Sequence, residues 1–292
     1  MLHRYALALL ATLALGLTSV IAEPQRIVAA GGVVTETIHA LGEGDRLVGV
    51  DSTSLHPADA LKRLPNIGYV RALSAEGVLS LRPDLVVAIE GAGPPDVLAL
   101  IRQAGIPVRM LTEEPSEAGV LARIRTIGAV VGQQAAAESL AERIAGDFAR
   151  LAQDRARIAR PKRVMFVLSM QNGRVMVAGR SSSAAAMIGL AGGINAVDSL
   201  EGFKPVSDEG IIAAAPDVIV MMQRGDHAMA AADLFVHPAF RLTPAAADRA
   251  LITMDGLYLL GFGPRTADAA RELMSRLYPD LTRHRAEAAP RP

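Results

Sequence analysis

The stretch of sequence that decides the fold occurs twice. Residues 74–87 read SAEGVLSLRPDLVV, and residues 207–220 read SDEGIIAAAPDVIV. The two copies align without a gap. In each copy a serine that can cap a helix precedes a short apolar helix, a proline follows that helix, and an apolar strand comes next. The copies lie much further apart than the roughly 20 to 50 residues of a solenoid repeat. The chain is therefore expected to form two similar lobes.

Around the two copies, predicted strands alternate with predicted helices. Gly31 and Gly32 predict a tight turn into a helix that ends at Gly42. The turn lacks the phosphate-binding motifs and is interpreted as structural. The alternation predicts parallel sheets with right-handed crossovers, whose ligands bind beyond the carboxyl ends of the strands. In the first lobe the strands are expected at residues 25–30, 47–50, 84–89 and 107–111.

The segment between the lobes is predicted to be helical. It contains no proline from Ser116 to Ala159, and its apolar residues follow a helical spacing. Gly132 is expected to divide it into two helices, the second running from about Gln133 to Ile158 over about 40 Å. The predicted fold is α/β: two Rossmann-like lobes with parallel sheets, joined by one long linking helix, with the ligand cleft between them. The expected boundaries are 1–22 (signal peptide), 23–115 (first lobe), 116–160 (linking helices), 161–279 (second lobe) and 280–292 (disordered tail).

Composition excludes several classes of function. Lysine plus arginine and aspartate plus glutamate both count 30, so no overall charge favours nucleic acid as a partner. Cysteine is absent, which excludes disulfides, thiol catalysis and cysteine-type zinc sites. At the N-terminus, Arg4 precedes an apolar run from Ala6 to Leu17, and Ala22 ends a small-residue cleavage pattern. We therefore expect a signal peptide that is cleaved after Ala22.

Tyr69 and Arg71 lie just before the Ser74 cap and are the first candidate ligand residues. Residues two apart in an extended segment point the same way, so a guanidinium can lie beside the phenol oxygen. A nearby cation favours the phenolate, which suits ferric iron, and tyrosine is a known axial ligand of haem. From chemistry alone we favour a simpler interpretation, a half-exposed loop aromatic and a solvated charge, because Tyr-x-Arg is a common pattern.

The sequence resembles a known family at this point. The signal peptide, the Gly-Gly-x-x-Thr-Glu turn at residues 31–36, the linking helix and the doubled Ser-x-Glu-Gly element resemble the periplasmic binding proteins of ABC importers whose lobes are bridged by one rigid helix. Within that group, residues 68–84 are similar to a motif of the haem-uptake proteins. The resemblance implies a monomeric periplasmic haem carrier, not an enzyme, whose partners are haem and the permease and ATPase of a haem importer.

The resemblance also implies roles for individual residues. Tyr69 would be the axial ligand of ferric haem, with Arg71 supporting its phenolate. Arg224 would reach the haem or its propionates from the other lobe, although an ordinary loop cation is an equal alternative. Glu76 and Glu209 would dock to arginines of the permease, whereas the simpler interpretation is that each carboxylate favours its helix dipole.

Two further residues complete the candidate haem site. Some relatives place a histidine in the loop after the second lobe's first strand, and here that position holds Met170 instead. Met170 could contact or weakly ligate the iron, although methionine more often packs in a core. His227, near Arg224 in sequence, could substitute for the missing histidine.

Other functions remain as alternatives. A siderophore or cobalamin carrier of the same architecture is the first, and the Tyr-x-Arg motif counts against it. A zinc or manganese carrier would need clustered histidines and carboxylates, which the sequence does not show. A chelatase-like enzyme would need an acid and base pair converging in the cleft, and no such constellation is visible.

Overall fold

The computed structural model of the chain describes residues 23–171, 174–223 and 231–281. The expected signal peptide and nearly all of the expected tail lie outside these residues. The first lobe contains, in chain order, β1 (Ile27–Ala30), α1 (Gly32–Ala40), β2 (Leu47–Val50), α2 (Ala60–Arg63), β3 (Gly68–Tyr69), β4 (Ala72–Leu73), α3 (Ala75–Ser80), β5 (Leu85–Ile89), α4 (Pro95–Gln103) and β6 (Val108–Leu111).

The first lobe is built on a four-stranded parallel sheet with the order β2-β1-β5-β6. All of β1 and most of β5 are buried, as expected for apolar strands that helices cover on both faces. The predicted strands are confirmed to within two residues at each end. The segment predicted as a loop around Tyr69 differs: β3 and β4 pair antiparallel as a small hairpin, with Tyr69 opposite Ala72.

Two helices connect the lobes, as predicted. They are α5 (Glu117–Val130) and α6 (Gln134–Arg155). Gly132 separates them in a left-handed conformation with φ of 77°, which glycine adopts without strain. The 22 residues of α6 extend over about 33 Å, somewhat less than the predicted helix, because it ends at Arg155. The largest core cluster runs continuously from the first lobe through both helices into the second lobe.

The second lobe contains β7 (Arg163–Gln171), β8 (Arg174–Ala178), α7 (Ser183–Leu190), β9 (Ile194–Asn195), β10 (Phe203–Val206), α8 (Asp208–Ala214), β11 (Val218–Gln223), α9 (Ala231–Leu234), α10 (Pro238–Arg241), α11 (Pro244–Ala247), β12 (Leu251–Asp255), α12 (Gly256–Leu260) and α13 (Thr266–Leu277). Its sheet has the order β10-β8-β7-β11-β12, and β9 pairs with β7. The sheet is mixed, because β8 runs antiparallel to both β7 and β10. The short connection between the consecutive strands β7 and β8 requires their antiparallel pairing.

The duplicated stretch folds in the same way in both lobes. Ser74 caps α3 by accepting a hydrogen bond from the Gly77 backbone N–H at 2.9 Å, and Ser207 caps α8 by accepting one from Gly210 at 3.2 Å. Each serine satisfies an N–H that a helix leaves without an internal partner. The capping serines predicted from the sequence are confirmed.

The ends of the two copies also match. Arg82 and Ala215, at equivalent positions, both adopt left-handed backbone conformations with φ of 47° and 41°. The Asp84 carboxylate accepts from the backbone N–H of Arg26 at 2.9 Å, and the Asp217 carboxylate accepts from that of Arg163 at 2.7 Å. Each aspartate thus ties the repeat to the first strand of its own lobe. Over the described residues, no helix combines the length and apolarity needed to cross a membrane.

Replacing Ser74 with alanine tests the cap. The free energy of unfolding is expected to fall by about 1 kcal/mol, because the Gly77 N–H loses its acceptor. Urea denaturation measures the change. Ser80→Ala in the same helix is the control, since Ser80 is exposed and donates only to the Gly77 carbonyl, and its effect should stay within about 0.5 kcal/mol. Equal losses for the two variants would contradict the capping role.

Candidate interlobe binding site

A recess between the lobes collects residues that follow the carboxyl ends of five strands. It has a volume of about 140 Å³, and we call it the tyrosine recess. Parallel strands bring the residues after them to one edge of a sheet, and here the edges of both sheets meet. These residues are Gly32 after β1, Thr53 after β2, Glu90 after β5, Glu113 after β6 and Leu257 after β12.

The lobes approach each other closely at this recess. A methyl group added at Gly32 would lie 2.1 Å from the Thr53 carbonyl oxygen and 3.0 Å from Cδ1 of Leu257 in the second lobe. The N–H groups of the glycine turn are already bonded, that of Gly31 to the buried Asp51 carboxylate at 2.7 Å and that of Gly32 to the Thr53 hydroxyl at 2.9 Å. The interpretation of this turn as structural agrees with these bonds.

The hairpin β3–β4 presents Tyr69 at the tyrosine recess. Tyr69 is 49% exposed, whereas Val70 and Leu73 on either side of the turn are each 5% exposed and belong to a core cluster of the first lobe. The Gly93 backbone holds both of these residues, because Leu73 N–H donates to the Gly93 carbonyl at 2.8 Å and Gly93 N–H donates to the Val70 carbonyl at 2.9 Å. The hairpin is therefore fixed while the tyrosine side chain remains accessible.

A second recess of about 260 Å³ adjoins the first and shares Arg71 and Glu113 with it. We call it the arginine recess, because Arg123 from α5 also lines it. From the second lobe come the first turn of α7 with residues 181–183, and Phe203, whose side chain is 36% exposed. Both lobes and the linking segment thus contribute to one continuous cleft.

Burial shapes the electrostatics of the arginine recess. Burial raises the pKa of the Glu113 carboxyl, an effect that the nearby guanidinium groups of Arg123 and Arg71 partly oppose. Arg123 is only 5% exposed, and burial lowers the pKa of its guanidinium. That group donates to two backbone carbonyls, to Phe262 in the second lobe at 2.9 Å and to Thr112 in the first at 3.2 Å. Arg123 therefore bridges the lobes through hydrogen bonds to neutral groups.

A bidentate ion pair joins the lobes beside the cleft. The Arg265 guanidinium donates to both carboxylate oxygens of Glu36, at 2.9 and 2.8 Å. The Glu36 side chain is 5% exposed and that of Arg265 is 30% exposed, so the pair is largely screened from water. Arg265 also lies over the Tyr258 ring, 5.0 Å from its centroid. Glu36, in α1, thus holds Arg265 at the start of the last helix.

The structure brings together some of the predicted site residues. Tyr69 and Arg71 line the same recess, while Glu76 and Glu209 are exposed in the first turns of α3 and α8. Hydrogen bonds to its own backbone N–H and to Ser207 lower the pKa of the Glu209 carboxyl.

Of the three remaining candidates, only Met170 belongs to the described part of the chain. Met170, on β7 opposite Val175, packs against the core of the second lobe, and it lines neither recess. Arg224 and His227 lie outside the described residues. Within the described ranges, no three or more histidine, aspartate and glutamate side chains come together as a metal site.

Sequence reasoning missed four parts of the cleft: Glu113, Arg123, the serines at 181–183 and Phe203. For Glu113 and the serines, the sequence carried a signal of a possible site. Glu113 follows a predicted strand, and a serine run often precedes a helix. Arg123 carried none, because an arginine on a helix is usually an exposed residue. Phe203 carried none either, because a single aromatic residue before a helix cap does not indicate a site.

The chain belongs to a family of extracytoplasmic solute receptors: the family described as periplasmic binding protein matches residues 27–257. Among solved structures it is similar to the periplasmic heme-binding protein RhuT from Roseiflexus sp. RS-1 in apo form, with 41% identity and a TM-score of 0.84 over 88% of this chain and 99% of that one. It is also similar to a periplasmic heme-binding protein from Pseudomonas aeruginosa, with 36% identity and a TM-score of 0.82 over 88% and 94% of the two chains. A vitamin B12-binding protein of Vibrio cholerae is 26% identical over 264 residues, 89% of this chain and 92% of that protein. These matches agree with the two-lobed α/β fold of this chain.

The ion pair between the lobes can be tested with Glu36→Gln. This variant keeps the side-chain shape but leaves the Arg265 guanidinium without its anion. The free energy of unfolding is expected to fall by about 2 kcal/mol, less than for a fully buried pair because Arg265 is partly exposed. Glu138→Gln is the matched control, since Glu138 pairs with Arg125 at the surface, and it should change stability by at most about 1 kcal/mol. If thermal or urea unfolding finds the two variants alike, the pair does not stabilise the interlobe contact.

Proposed function

We propose that this protein is a haem carrier of an ABC importer, and that it binds ferric haem in the interlobe cleft through the Tyr69 phenolate. The observation that carries the proposal is the position of Tyr69. It is half exposed on a hairpin whose neighbouring residues are buried, at a recess that both lobes line. A fixed support and an accessible oxygen are what an iron ligand requires, because an ordered ligand loses little freedom on binding.

The residues around Tyr69 suit a large, flat, mostly apolar ligand. Ile89 and Leu257 line the tyrosine recess, and Leu260 and Phe203 line the arginine recess. Arg71 lines both recesses and supplies a positive charge beside the proposed iron ligand. In this proposal Tyr69 supplies the iron ligand, Arg71 supports its negative charge, and the apolar side chains cover the macrocycle.

Met170, Arg224 and His227 remain secondary candidates in this proposal. Arg224 and His227 would approach the haem from the second lobe. Met170 would do so only if its packing against the second-lobe core changed on binding. The proposed role is binding and delivery rather than catalysis, as in the family to which the chain belongs.

A cobalamin carrier is the second candidate, favoured by the similarity to the vitamin B12-binding protein over 89% of this chain. The two candidates make different demands on Tyr69. In the proposed haem carrier the phenolate is an axial ligand to iron, whereas a cobalamin carrier has no such need, since cobalamin brings its own axial ligands to its cobalt. The higher identity to the heme-binding proteins, 41% and 36% against 26%, supports the first candidate.

Titration of the purified protein with hemin tests the proposal. We expect a stoichiometric high-spin ferric complex in the absorption spectrum, and at least a tenfold weaker affinity, or about 1.4 kcal/mol, for Tyr69→Phe. Tyr258→Phe is the matched control, because Tyr258 lies beneath Arg265 rather than at the tyrosine recess. A spectrum unchanged by Tyr69→Phe would refute tyrosinate ligation. Saturable binding of cyanocobalamin, without a complex with hemin, would establish the second candidate instead.

We also propose that Glu76 and Glu209 dock the protein to its permease. They occupy equivalent positions in the duplicated stretch, one in each lobe, and both are exposed. A function that requires both lobes explains why both copies carry glutamate at this position. Tyr69, by contrast, has no tyrosine counterpart in the second copy, as expected of a residue that serves the ligand. The matching site on the permease would be a pair of cationic groups. We further propose that residues 1–22 direct export of the protein. The two lobes are proposed to meet the linking helices near residues 115 and 160.

The docking role is measured as stimulation of ATP hydrolysis by the permease and its ATPase in proteoliposomes. With the double variant Glu76→Gln and Glu209→Gln, stimulation is expected to fall to the basal rate, because both charged contacts are lost. Binding of hemin should be unchanged. Glu142→Gln is the control, since Glu142 is exposed on α6, away from both capped helices. Full stimulation by the double variant would exclude these glutamates as docking residues.

A further inference from the structure

We infer that the arginine recess is a carboxylate subsite, which would hold one propionate of the haem while Tyr69 ligates the iron. The inference rests on the proposed haem-binding function and adds to it the part of the cleft that recognises the acidic edge of the ligand. It depends on two independent features of the recess: a buried arginine without an anionic partner and the first turn of α7.

Arg123 is the first feature. It is 5% exposed, and its Nε is buried without a hydrogen-bond partner. Its other two nitrogens donate to the neutral carbonyls of Phe262 and Thr112. Among the described residues no carboxylate lies within ion-pair distance of Arg123, although Glu113 and Glu114 are near enough to favour its charge. A buried cation is costly unless an anion pairs with it, so this guanidinium is suited to an anion that the ligand brings.

The helix α7 is the second feature. Its eight residues begin at Ser183, and residues 181–183 line the same recess as Arg123. The Ser182 hydroxyl caps the helix by accepting from Ala185 N–H at 3.1 Å, and it donates to the Gly179 carbonyl at 2.7 Å. The free N–H groups and the dipole of a helix N-terminus favour a negative charge. Arg123, on the linking helix α5, and this helix end, in the second lobe, therefore line one recess.

The side chains that line the recess carry an excess of one positive charge, which one carboxylate would balance. Its ionisable side chains are Arg71, Arg123 and Glu113, so two positive groups stand against one negative group. Glu114 lines a separate recess on the other side of Arg123. A ligand carboxylate would balance the remaining positive charge. Leu260 and the partly exposed Phe203 ring line the same space, which suits a carboxylate attached to an apolar body.

The subsite would select among tetrapyrroles. A tetrapyrrole whose periphery carries carboxylates would gain charge-assisted hydrogen bonds, which are stronger than neutral hydrogen bonds. One whose periphery carries only neutral amides or esters would leave the Arg123 charge unpaired. The recess would thus contribute to ligand choice independently of the iron ligand.

Hemin and its dimethyl ester separate this subsite from iron ligation, because esterification removes both negative charges and leaves the iron unchanged. The unmodified protein is expected to bind hemin about tenfold more tightly than the ester, the size of one charge-assisted hydrogen bond. Both ligands should give the same Tyr69-dependent spectrum. Equal affinities with that spectrum retained would overturn the subsite alone, whereas the absence of a Tyr69-dependent spectrum with either ligand would overturn both proposals.

Ser183→Asp tests the location of the subsite. Aspartate in the first turn of a helix favours the helix, so the variant should fold, yet its charge would repel an incoming carboxylate. Hemin affinity is expected to fall about tenfold, and the preference over the ester should disappear while the affinity for the ester is unchanged. Ser183→Asn, similar in size but neutral, should retain the preference. If Ser183→Asp weakens both ligands equally, or neither, the carboxylate does not bind in this recess.

Discussion

The ion pair between Glu36 and Arg265 is the contact on which the geometry of the cleft depends. It joins the first helix, α1, to the start of the last helix, two segments at opposite ends of the described chain. Arg123 adds a second bridge through the Phe262 carbonyl. The linking helices add a third, because α5 packs against α1 in the first lobe and α6 packs against α7 and α13 in the second. With these connections in place, the edges of the two sheets face each other across the cleft. A ligand that binds there would meet a surface that both lobes already form.

The two lobes use one scaffold for different tasks. The serine caps, the left-handed residues before the strands and the aspartates that follow them correspond in both copies. The segments just before the caps differ. In the first lobe that segment folds on itself and presents Tyr69, whereas in the second it pairs with β8 as β10 and places Phe203 on the cleft. Features shared by the copies suit a partner that contacts both lobes, and features found in one copy suit an asymmetric ligand.

The cleft combines apolar walls with a small number of charged groups, of which Arg123 is the buried one. Its guanidinium is screened from water, so it pays a desolvation cost that only a nearby opposite charge can offset. Arg71, by contrast, is exposed and can follow the ligand. A flat ligand with an acidic edge satisfies both conditions, since its body replaces water at the apolar walls and its charge meets the buried guanidinium.

The sequence by itself determined the features that depend on local chemistry: the capped helices, the buried strands, the break at Gly132 and the duplication. Caps, turns and apolar periodicity involve neighbouring residues, so the pattern alone predicts them. The hairpin around Tyr69 and the antiparallel strands of the second sheet were not predicted, because pairing between short strands leaves little periodic signal. The tertiary structure alone decided that Arg123, Glu113 and the first turn of α7 meet in one recess. They come from three separate segments, and only the packing of the lobes against the linking helices brings them within reach of one ligand.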